Sequence, residues 1–188
     1  MCTVPVTRQQ GVGFADRVAD AYGALALLRR LPWVDGRRVA VMGGSHGGAT
    51  TLTVLLPPGP AGTPLDAARA DGFVAGIALY PRCGMRLGGW NVACHNGNVG
   101  SVNGYFGVYR PTGALLILAG EADDWTPAEH CQRMVETSAA AGYPVGIRIY
   151  PGAHHSFDSN TPVRYVPERN SPESYDSKGV TTGGNAAA

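Results

Sequence analysis

Three side chains in this 188-residue chain could together run acyl-transfer chemistry: Ser45, Asp123 and His155. A serine hydroxyl is a weak nucleophile at neutral pH and needs a base to take its proton as it attacks. An imidazole can accept that proton and later return it to a leaving group. A carboxylate behind the ring fixes its tautomer and stabilises the imidazolium. Each of the three stands where an apolar run gives way to a loop. Ser45 lies in Val39-Ala-Val-Met-Gly-Gly-Ser-His-Gly-Gly-Ala49, Asp123 in Gly120-Glu-Ala-Asp-Asp-Trp-Thr-Pro127, and His155 in Tyr150-Pro-Gly-Ala-His-His-Ser-Phe157. The adjacent Asp124 and His154 are alternative choices for the acid and the base.

The elements around these loops are legible from apolar periodicity. Phe14, Val18, Tyr22, Leu25 and Leu28 make one stripe of an amphipathic helix, with Arg29 and Arg30 in its last turn and Pro32 beyond. Asp35-Gly36 turns the chain into a strand expected over Arg37–Met42. Ala49, Leu52, Leu55 and Leu56 predict a buried helix ending at Pro57-Pro58, and Thr63-Pro64 caps a short helix running to Ala70. Phe73–Tyr80, Ala114–Ala119 and Val145–Tyr150 read as three further strands. Thr126-Pro-Ala-Glu129 is expected to be a capping box opening a helix that turns Cys131, Met134 and Val135 inward and closes at Gly142. Beyond Phe157 the chain reads as polar and irregular, with Asn185–Ala188 as the start of a helix. Strands alternating with helices predict an α/β class with a mostly parallel sheet and flanking helices, a single domain over 1–188. A glycine- and asparagine-rich stretch at about 81–113 is a long loop insertion, with Trp90, Tyr105 and Phe106 either lining a pocket or anchoring it.

In an open parallel sheet, ligands bind at the carboxyl ends of the strands, and all three reactive residues fall there. Gly43-x-Ser45-x-Gly47 at a strand-to-helix turn matches a nucleophile elbow, in which the amide after the serine, that of His46, begins an oxyanion hole. Without a lysine after the glycines, the phosphate-loop reading of this turn is poor. The order Ser, Asp, His is that of the α/β-hydrolase triad.

Composition narrows the partners. Fifteen Lys+Arg against fourteen Asp+Glu leave a net charge of +1, so nothing points to nucleic acid or an anionic membrane surface. No apolar run approaches the ~18 residues of a membrane span, and no signal peptide is visible. Four cysteines (Cys2, Cys83, Cys94, Cys131) form no CxxC pair, so no metal site is expected. A Cys83–Cys131 or Cys83–Cys94 disulfide suits an exported protein, but the residues do not decide between cytoplasmic and exported. Oligomeric state is not legible either.

The sequence resembles the dienelactone hydrolase family of α/β-hydrolases. The resemblance rests on Gly43-Gly-Ser-His-Gly-Gly48, Gly120-x-x-Asp123-x-x-x-Pro127 and Gly152-Ala-His-His-Ser-Phe157, with Asp20-Ala-Tyr-Gly-Ala-Leu25 in the helix before the elbow. It implies Asp123 as the acid and His155 as the base. It also implies hydrolysis of a small-molecule ester or lactone through an acyl-enzyme, without metal or organic cofactor. Two departures stand out. The family's namesake enzymes use a cysteine nucleophile where this chain has Ser45, more like a general carboxylesterase. Related chains also carry several strands before the elbow. This chain is expected to be a partial α/β-hydrolase fold, clipped at both ends and lacking its N-terminal strands and second oxyanion donor. One sheet face and an apolar strand edge should then be uncovered. Rival readings are a prolyl-oligopeptidase-like serine peptidase, whose elbow is similar, and an inactive fragment or binding remnant.

Overall fold

The four apolar runs meet in one sheet. In the computed structural model, which describes residues 12–59, 63–91, 106–169 and 179–188, they form β1 (Ala40–Gly44), β2 (Ala75–Leu79), β3 (Ala114–Gly120) and β4 (Val145–Tyr150). Sheet order is β1-β2-β3-β4 and every neighbouring pair is parallel. Parallel neighbours require crossovers, and crossovers of one hand that all step the same way set their helices on one face. α2 (His46–Val54) and α3 (Pro64–Ala70) lie between β1 and β2, and α4 (Ala128–Ala140) between β3 and β4. α2 packs on β1 and β2, α4 on β3 and β4, and α1 (Phe14–Leu28) on α2.

Period-two burial along the strands shows which face those helices cover. Leu115, Ile117 and Ala119 of β3 are buried in one core with Leu25, Leu52, Leu55 and Met134. Burying a side chain of this size stabilises by roughly 1.5–3 kcal/mol. Leu116 and Met42, on the other face, are 42% and 70% exposed. Tyr80, Ala153 and Phe157 pack with Leu79, Leu118 and Tyr150 as a separate cluster. Among the described residues no helix is long and apolar enough to cross a membrane.

Several boundaries differ from expectation. The ladder of β1 begins at Ala40 because Arg37 and Arg38 are held in a turn, their N–H groups donating to the Asp35 carboxylate and carbonyl. Phe73 and Val74 stay outside β2, and Tyr80 leaves it with φ +36°. The tail is not wholly irregular: β5 (Arg164–Val166) and β6 (Val180–Thr182) pair antiparallel. Asn185–Ala188 is a turn instead of a helix start, closed by the Ala187 N–H donating to Asn185 Oδ1 at 2.9 Å.

Within the long stretch after β2, residues 92–105, including Cys94 and Tyr105, lie outside the described residues, as does Cys2. Trp90 anchors its first part: the ring is fully buried and its N–H donates to the Cys83 carbonyl at 2.8 Å. Phe106 is 54% exposed. Cys83 is joined to Cys131 of α4 by a disulfide.

Candidate active site

The elbow needs glycine where the backbone passes closest to its neighbours, at Gly43 and Gly48. A Cβ on Gly43 would lie 2.4 Å from the Gly47 carbonyl carbon, and one on Gly48 2.8 Å from the Leu79 carbonyl oxygen. β1 and α2 can therefore meet within a single residue. That residue is Ser45, with φ 54° and ψ −114°, its N–H donating to the Leu79 carbonyl at 3.0 Å. Such a backbone is costly for a residue with a side chain and turns the hydroxyl out above the sheet.

The carboxylate and the imidazole come from the loops after β3 and β4. Gly120 lets those loops touch, since a Cβ there would meet the Ala153 carbonyl at 2.2 Å. The Ala122 N–H donates to that same carbonyl. His155 Nε2 lies 2.9 Å from Ser45 Oγ, and His155 Nδ1 lies 2.9 Å from Asp123 Oδ2. Asp123 and His155 are only 2% and 1% exposed, so the carboxylate needs internal partners. It has them: Oδ1 accepts the N–H groups of Trp125 and Thr126 at 2.9 Å each, and Oδ2 accepts the Thr126 hydroxyl at 3.0 Å. The Tyr80 and Trp125 rings each centre 4.6 Å from the imidazole. The Tyr80 hydroxyl donates to Asp158 at 2.7 Å. Burial, then the Asp158 carboxylate, raise the Tyr80 phenol pKa, so it remains a donor.

The neighbouring candidates are engaged elsewhere. Asp124 Oδ1 accepts the Thr181 N–H at 2.7 Å, and His154 Nδ1 bonds the Ala122 carbonyl at 2.9 Å. Asp124 thus ties β6 to the loop after β3. Thr182 ties it to the loop after β4, its hydroxyl and the Gly183 N–H both donating to the His155 carbonyl at 2.9 Å. His46 opens α2, directly after Ser45. Lost hydration, then the charges of Arg17 and Arg82, lower the pKa of its imidazole.

Thr126 is the residue that sequence patterning misassigns. Thr-Pro-x-Glu predicts a helix cap, yet α4 starts from Pro127 with no side-chain cap, and the Thr126 hydroxyl donates to the Asp123 carboxylate instead. Its spacing, three residues after Asp123, is the local signal that could have shown this.

A parallel sheet with flanking helices, with a serine elbow after β1 and aspartate and histidine loops after β3 and β4, defines an α/β-hydrolase fold. A sequence profile of the dienelactone hydrolase family matches residues 83–178, just over half of the chain. The chain belongs to that family. No functionally curated protein matches it. Among solved structures it is similar to the apo form of esterase 2 of Thermogutta terrifontis, with 23% identity and a TM-score of 0.58. The match covers 81% of this chain and 59% of that one. It is similar also to the same esterase phosphonylated by sarin, at 21% identity over 78% of this chain and 59% of that one, with TM-score 0.59. For the propionate-bound form the values are 22%, 79%, 58% and 0.57. At these identities the likeness establishes the fold, and the chain spans about 59% of that esterase's length.

Proposed function

We propose that the chain is a serine hydrolase that cleaves carboxylic esters or lactones of small molecules through an acyl-enzyme. Ser45 Oγ attacks the substrate carbonyl while His155 Nε2 takes its proton. The imidazolium is stabilised by the Asp123 carboxylate, to which Nδ1–H donates. The oxyanion of the tetrahedral intermediate takes a hydrogen bond from the His46 backbone N–H, a kind of contact typically worth roughly a hundred- to a thousandfold in rate. Nε2–H then protonates the departing alcohol oxygen, and a water activated by the same nitrogen releases the acid and restores Ser45.

The observation that carries this reading is the unbroken pair of 2.9 Å contacts from Ser45 through His155 to Asp123. It is tested by the hydrolysis of p-nitrophenyl butyrate by the purified chain beside its Ser45→Ala variant. Turnover that vanishes in the variant supports the reading, and equal background rates in both would overturn it.

A further inference from the structure

The Thr126 hydroxyl sits at the junction of three strand-end loops. It lies 3.0 Å from Asp123 Oδ2, 3.1 Å from the Tyr80 carbonyl oxygen and 3.2 Å from His155 Nδ1. These belong to the loops after β3, β2 and β4. We infer that Thr126 is a positioning residue for the Asp123–His155 pair, its hydroxyl fixing which carboxylate oxygen faces the imidazole and at what angle. The inference rests on the serine-hydrolase reading for its consequence in turnover, but not for its geometry.

Proton bookkeeping sets the roles. A carboxylate and a carbonyl only accept, so the single hydroxyl proton must serve Asp123 Oδ2 and Tyr80 O; a bare oxygen 3 Å from both would be repelled. A lone pair then remains toward His155 Nδ1, whose proton goes chiefly to Asp123 and secondarily to Thr126. The hydroxyl therefore touches both members of the pair at once. With the Thr126 N–H on Oδ1, one residue grips both oxygens of the carboxylate and opposes its rotation.

The surroundings argue that this is a built arrangement instead of a displaced helix cap. Thr63 shows what capping looks like in the same chain, its hydroxyl accepting the Asp66 N–H at the start of α3. Thr126 has an equivalent place before α4 and forgoes that role. Its third partner is the carbonyl of Tyr80, which itself has φ +36°, a conformation unfavourable for a residue with a side chain. The Cys83–Cys131 disulfide fastens the same joint, three residues beyond Tyr80 and five beyond Thr126. Thr126 is 8% exposed, so water does not readily replace the hydroxyl.

The test compares Thr126→Ser, which keeps the hydroxyl, with Thr126→Val and Thr126→Ala, which lose it. Two readouts are used: kcat and KM on p-nitrophenyl butyrate, and the low-field proton NMR resonance of His155 Nδ1–H in the free protein. The hydroxyl-free variants are expected to lose about tenfold in kcat, the scale of one charge-assisted hydrogen bond, with KM within about twofold of the parent. Their Nδ1–H resonance should shift or broaden, and the serine variant should restore both readouts. Should the valine variant fail to fold, the serine–alanine pair decides. Parental kcat and an unmoved resonance without the hydroxyl would overturn the inference, as would a serine variant no better than alanine. If Ser45→Ala turns over ester as fast as the parent, the hydrolase reading falls, while the substrate-free resonance still judges Thr126.

Discussion

Opening the Cys83–Cys131 disulfide should lower the unfolding free energy by about 4 kcal/mol. The two cysteines are 48 residues apart, and cross-linking at that separation removes about 14 cal/mol/K of chain entropy from the unfolded state, or about 4 kcal/mol at 25 °C. Both sulfur-bearing residues are 1% exposed, packed in the main core with Leu87, Trp90 and Met134. A reductant therefore reaches the bond only through an opening of the structure, and reduction in buffer should be slow. The assay is urea unfolding followed by tryptophan fluorescence, with and without prior reduction under denaturing conditions. Trp90 donates to the Cys83 carbonyl and is a reporter within this joint. With a slope of about 2 kcal/mol/M, the midpoint should fall by about 2 M urea. A Cys83→Ala/Cys131→Ala variant should behave like the reduced protein. Coincident midpoints for the oxidised and reduced chains would refute the reasoning, as would full alkylation of both thiols in the native, unreduced protein.

Two other perturbations separate residues that stand side by side or titrate. Asp123→Asn should cost about 10⁴ in kcat, because an amide cannot hold the required tautomer of His155, whereas Asp124→Asn should stay within about tenfold. Its amide oxygen can still accept the Thr181 N–H, and steady-state ester hydrolysis reads both effects. Asp66 has its pKa lowered by the Thr63 hydroxyl foremost, then by the Gly59 and Thr63 N–H groups. A carboxylate with a folded pKa below its unfolded one stabilises above the unfolded value, and that contribution is lost as pH falls through the folded one. Thermal melts between roughly pH 5 and 3 should therefore show a steeper loss of Tm for the parent than for Asp66→Asn.

What the sequence made legible follows from how local each signal is. Glycines at 43, 47 and 48 announce a tight turn; the close approaches at Gly43 and Gly48 exclude a side chain there, whereas a Cβ on Gly47 would meet nothing within 4 Å. The strand Val145–Tyr150 alternates cleanly and forms with the expected limits. Thr63 caps α3 as Thr63-Pro64 predicts, with Asp66 completing the box, because nothing distant competes for them. Thr126 carries a similar signal and behaves differently, since the Tyr80 carbonyl and the Asp123 carboxylate, brought in by the sheet, outbid the helix terminus. The pairing of β5 with β6 is not legible in the sequence for the same kind of reason. Three-residue strands have little periodicity of their own, and β6 is held by Asp124 and the His155 carbonyl across the fold. Family resemblance implies Asp123 over Asp124 as the acid, and the two carboxylates have different hydrogen-bond partners. Asp123 reaches His155, and Asp124 is used to hold β6.

The central claim is that Ser45 becomes acylated. The most direct measurement is rapid acid quench of the chain with p-nitrophenyl butyrate, followed by peptide mass mapping. A butyryl group on the peptide carrying Ser45, transient in the parent and absent from Ser45→Ala, is the predicted result. Released p-nitrophenol without any acyl group on that peptide, or with the acyl group on another residue, would contradict the account.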